Sequence, residues 1–142
     1  MKPSAHFWEL GSAVNRRRGA GRVILTDRRW GTPPSPQEVK DWLFRAGLTC
    51  IHAADLPTWR LDRGEARAVL AAPLERDLAY QVALMTRDEA LALADAYLSL
   101  LPPEAELRAP PFSSTFTDAT FDTGILSLHP TQSTVFWFLD ED

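Results

Sequence analysis

The spacing of apolar positions switches several times between helical and strand periods along the chain. Phe7, Leu10 and Val14 recur at helical spacing over residues 4–15, with Ser4 placed as an N-cap. Gly11 weakens that helix. Residues 16–22 read as a basic loop, and Val23 to Thr26 as a short strand. A connector with three prolines, Gly31 to Pro36, leads to Ser35, Pro36 and Glu38, a capping box that opens a helix to about Ala46. Its inward positions are Val39, Leu43 and Trp42, and Gly47 stops it. Leu48 to His52 reads as a strand and Asp55 to Leu61 as a loop broken by Pro57.

A second capping box, Asp62 with Glu65, opens a helix that Pro73 is expected to end near Ala72. Leu78, Tyr80, Val82 and Leu84 alternate as in a strand. Thr86 and Glu89 cap a further helix that runs to Leu101 before two prolines. Ala105 to Ala109 fits a short edge strand, and Pro110 to Ala119 a loop. Thr120 to Leu128 and Ser133 to Leu139 flank the turn His129-Pro130-Thr131-Gln132, the strongest β signal in the chain. The order predicts an α+β fold over residues 1–142 as a single domain. It has one mixed, mostly antiparallel sheet, helices on one face and a C-terminal β-hairpin.

At 142 residues the chain is long enough for one self-sufficient core. Its 45% hydrophobic and 24% charged residues exclude disordered, collagen-like and disulfide-scaffold classes. The single cysteine, Cys50, makes no internal disulfide, and no leader-like or membrane-spanning apolar run is visible, so a cytoplasmic location is expected. Thirteen of the 15 basic residues are arginine, which suits a GC-rich bacterial genome.

Charge changes the picture more than composition does. Residues 1–63 hold 11 Lys/Arg against 6 Asp/Glu, a net of +5, whereas residues 64–142 hold 4 against 13, a net of −9. Arg16, Arg17, Arg18, Arg22, Arg28 and Arg29 fall close together beside Trp30, and Trp59 adjoins Arg60. Arg and Trp are the residues most enriched at binding hot spots. The chain ends in Asp140, Glu141 and Asp142, which blunt a strand edge or form an acidic docking patch.

Catalytic signatures are weak. Asp122-Thr123-Gly124 carries the tripeptide of aspartic proteases, but Ile125 follows where that family has a small residue, and only 18 residues remain after Gly124. A strand start with Gly124 supplying backbone freedom is the simpler reading. Gly19 and Gly21 precede a strand instead of following one, the wrong order for a dinucleotide loop. Cys50 and His52 are two apart, fitting a buried Cys and a hydrogen-bonded His better than a nucleophile–base pair. No catalytic residue, metal site or cofactor is therefore assigned.

The expected function is stoichiometric binding of a protein partner, such as a basic one, as an immunity- or antitoxin-like inhibitor or an adaptor. The contact residues would be Arg16, Arg17, Arg18, Arg28, Arg29, Trp30, Trp59, Asp140, Glu141 and Asp142. Two alternatives stand beside it. One is nucleic-acid binding through Arg16–Arg29, with Trp30 stacking on a base. The other is a small hydrolase using Asp118, Asp122 and His129.

Overall fold

The computed structural model describes residues 3–110 and 116–141. The elements are α1 (Ala5–Arg18), β1 (Arg22–Arg29), α2 (Pro36–Ala46), β2 (Trp59–Leu61), α3 (Arg63–Glu75), α4 (Arg87–Ser99), β3 (Glu106–Ala109), β4 (Phe121–Leu128) and β5 (Gln132–Asp140). Five strands form one sheet in the order β1-β5-β4-β3-β2, and every pairing is antiparallel. This is the expected α+β class, with β4 and β5 as the C-terminal hairpin.

Strand alternation divides the interior in two. Val23, Leu25, Phe136 and Phe138 face one way and pack with Phe7 and Val14 of α1, Leu70 and Leu74 of α3, and Tyr97 and Leu98 of α4. Ile24, Val135 and Trp137 face the other way, against Val39, Trp42 and Leu43 of α2 and against Leu48 and Ile51. Helices α1, α3 and α4 thus share one face, and α2 covers the opposite one. Sandwiched between two layers, β5 carries the near-continuous apolar run Val135–Phe138, each of whose side chains is fully buried. Each such side chain contributes about 1.5–3 kcal/mol through burial alone.

Several local expectations give way, each for a physical reason. All three predicted capping boxes form. Helix α1, however, continues through Arg16, Arg17 and Arg18 because its stop is Gly19, in the left-handed conformation at φ 65°. Leu48 to His52 is not a strand. Leu48 and Ile51 are both buried, three residues apart, and Ile51–Ala53 is a turn of 3-10 helix. Pro73 is accommodated inside the last turn of α3 instead of ending it.

Residues 78–85 do not form a strand either, apart from one bridge between Arg76 and Ala83. The Asp77 carboxylate accepts the backbone N–H groups of Tyr80 (3.2 Å) and Val82 (2.8 Å), building a local turn that competes with any ladder. The expected loop before Asp62 contains β2, which makes β3 an interior strand and β2 the edge.

Candidate functional site

The basic segment does not remain one patch. Arg18 and Asp140 are each only 2% exposed. Arg18 Nη1 and Nη2 reach the two Asp140 oxygens at 2.7 and 2.6 Å, Nε donates to the Pro73 carbonyl at 2.9 Å, and the guanidinium lies over Phe138. Asp140 also accepts the Leu78 N–H at 2.7 Å. This buried bidentate pair joins the end of α1 to the end of β5. Both residues belong to the fold and are not available to a partner.

The other anticipated contact residues separate as well. Arg17 pairs with Glu89 of α4, and that hydrogen bond is the main reason the Glu89 carboxyl titrates below its ordinary range. Arg16 borders a shallow groove between α1 and α4, with Ala13 and Leu93. Arg28 and Arg29 are exposed at the far end of β1. Arg28 lies over the Trp30 ring at 5.1 Å, the Trp42 ring meets it edge-on, and Trp30 Nε1 donates to Ser133 at 2.9 Å. Trp30 is thus a half-buried wedge with its stacking face already covered. Trp59 is 54% exposed on β2. Glu141 accepts from the hydroxyl of Thr120 at 2.7 Å. Asp142 lies outside the described residues. Among the described residues of the acidic end, Asp140 is buried, and Glu141 is exposed with its carboxylate on Thr120.

The hydrolase residues do not converge. The Asp122 carboxylate is buried and accepts from the Thr117 hydroxyl (2.7 Å) and from Trp137 Nε1 (3.2 Å). His129 lies beyond the other end of β4, roughly 20 Å away at the usual rise of a strand. There it approaches Glu104 at 3.7 Å. Asp118 stays near Cys50, whose Sγ is 3.5 Å from it. His52 turns instead to Asp41 and to the ring of Phe44. Gly124 answers a need for space, not for backbone freedom. A Cβ there would sit 2.2 Å from the Phe136 carbonyl oxygen and 2.7 Å from the Trp137 ring. Among the described residues, no group of three or more His, Cys, Asp or Glu could hold a metal ion. No described helix is long and apolar enough to cross a membrane.

What the fold does assemble is a groove of about 420 Å³ along the outer edge of β1. Its floor is β1 from Arg22 to Thr26. One wall is α1, through Trp8, Gly11, Ser12 and Asn15; the other is the end of α2, through Arg45 and Ala46. Trp8 is 63% exposed, because Phe7, Gly11 and Val14 form the buried stripe of α1 and Trp8 falls beside it. Gly11 lets α1 lie close, since even a Cβ there would touch Leu25 at 3.4 Å. The helix is tethered at both ends. The Ser4 N–H donates to the Asp27 carboxylate at 2.7 Å, and the Asn15 amide binds both backbone groups of Val23. Among the described residues, no acid lines the groove, whereas Arg22 and Arg45 do. In a chain of net charge −4 this is a local reversal of sign.

Trp8 and Arg45 escaped the sequence reading. Trp8 was legible as an aromatic off the apolar stripe. Arg45 carried no such signal, because its proximity to β1 depends on α2 crossing the second sheet face. Comparison with protein-family models, curated proteins and solved structures returns no match.

Proposed function

We propose that this chain acts by stoichiometric association with a protein partner, in the cytoplasm, as an inhibitor of the immunity or antitoxin kind or as an adaptor. The contact region is the β1 groove. One observation carries the reading: an exposed Trp8 shares a groove over a sheet edge with Arg22 and Arg45, with no acid in the lining among the described residues. Aromatic and Arg side chains around a concavity are the usual composition of an energetic hot spot. The partner surface that fits is acidic, because Arg22 and Arg45 line the groove. Opposite potentials would also speed the encounter.

The test is charge reversal at Arg22→Glu with Arg45→Glu, and separately Trp8→Ala, followed by co-purification from the source cell. Loss of a partner that the parent chain retains, with circular dichroism unchanged, is the expected result. Full retention by the double charge reversal would remove the groove from consideration.

A further inference from the structure

We infer that the β1 groove takes an extended acidic segment of the partner as a short added strand, a mode that rests on the binding role proposed above. In an antiparallel sheet, alternate residues of an edge strand turn their N–H and C=O groups away from the sheet. The Trp30 N–H pairs with the Thr131 carbonyl, and Asn15 holds Val23 from the outside, so the outward set is Val23, Leu25, Asp27 and Arg29. The first rung of this outer ladder is already filled. The Asn15 carboxamide is chemically a peptide group; it accepts the Val23 N–H at 3.1 Å and donates to the Val23 carbonyl at 3.4 Å. An amide approaching from the groove is therefore compatible with its walls. The next rung, at Leu25, has no such occupant among the described residues and lies on the groove floor.

The walls specify the side chains. Arg22 shares the parity of Ile24 and lies near Gly47 at the end of α2, on the same side as Arg45. Trp8 stands on the opposite, α1 side. A strand laid along the edge sends successive side chains to alternate walls. Acids at every second position meet Arg22 and Arg45, and apolar residues between them meet Trp8. The occupant that fits thus alternates acidic and apolar residues. A second copy of this chain does not fit. Antiparallel pairing of β1 with itself about Leu25, the register its outward groups allow, sets Arg22 opposite Arg28, and directly opposed like charges destabilise a sheet.

The probe is a capped hexapeptide alternating valine and glutamate, titrated into the full 15N-labelled chain. Three controls accompany it: the same peptide with N-methyl groups on its central amides, a composition-matched peptide with its glutamates in one block, and a lysine version. Expected are saturable shifts at Leu25 and Asp27, with their amides slowed in hydrogen exchange. Affinity should fall about tenfold or more for the N-methyl and block peptides, as expected when backbone rungs and register are lost, and vanish for the lysine version. Equal binding of the alternating, N-methyl and block peptides would overturn strand addition while leaving an acidic partner in place. So would failure of every peptide alongside a natural partner whose capture depends on Arg22 and Arg45. Failure of every peptide together with capture indifferent to those arginines would overturn both readings.

Discussion

The two edges of the sheet are protected in different ways. At one edge, β2 has three residues, follows Pro57, and is crossed by the Arg60–Glu106 ion pair at 2.6 Å. Brevity alone keeps another chain from pairing with it. At the other edge, β1 runs for eight residues, long enough to template a partner. Helix α1 guards it at Val23 through Asn15, at Leu25 by its close approach at Gly11 and at Asp27 through the Ser4 N–H, and the side chains from Val23 to Asp27 are buried. One edge is closed by being short; the other is left long, walled and positively charged. An edge strand that is neither shortened nor fully covered is a liability unless it is used. That contrast is the physical ground for placing function at β1 and not at β2.

The largest expected effect removes what anchors the β1 side. Arg18→Met leaves Asp140 buried without its partner, and loss of one member of a buried pair costs about 3–5 kcal/mol. Urea unfolding of the variant checks this, and an unchanged midpoint would show that the pair does not hold α1 to β5. Next is the sheet interior, where neither edge's freedom exists. Gly124→Ala forces a methyl into the Phe136 carbonyl, with an expected loss of about 1–3 kcal/mol or more, also read by urea unfolding.

The third prediction concerns pH. Burial pushes the Tyr97 phenol up to about 12 from 10.0, against smaller opposing hydrogen bonds from Thr134 and Ser127. A group whose pKa is raised by folding lends stability in full below its unfolded value, and that stability is lost as pH climbs toward the folded one. Between pH 10 and about 12 the chain should therefore lose on the order of 2–3 kcal/mol, at 1.4 kcal/mol per unit. Tyr97→Phe should remove this alkaline component, which thermal melts across that range will report. Fourth, Asn15→Ala unguards the Val23 rung. It should cost about 1 kcal/mol and speed Val23 amide exchange, with no change at Leu61. Smallest is Arg60→Ala on the closed edge, a surface pair expected to shift stability by less than about 1 kcal/mol and to leave partner capture intact.

Much of the fold was legible because its signals are local. Ser35, Asp62 and Thr86 start their helices through bonds spanning three residues, and the β4–β5 hairpin is built from adjacent segments. What was not legible depends on distant partners. Tyr80 and Val82 alternate like a strand but have no strand to pair with, and both remain exposed. The charge imbalance between the two halves was legible too, but its fate was not. Arg17, Arg18 and Arg60 find Glu89, Asp140 and Glu106, the Arg18 pair buried and the other two at the surface, and so neutralise part of that contrast. The groove itself was invisible to sequence, since Trp8, Arg22 and Arg45 come from three elements that meet only after β1 has paired with β5.

The most direct measurement is chemical-shift mapping of the 15N-labelled chain on addition of the alternating valine–glutamate peptide. Shifts concentrated at Leu25, Asp27, Arg45 and the Trp8 indole, with Trp59 to Leu61 silent, are the expected result. Shifts centred on β2, or spread evenly over the surface, would contradict the assignment of function to the long edge.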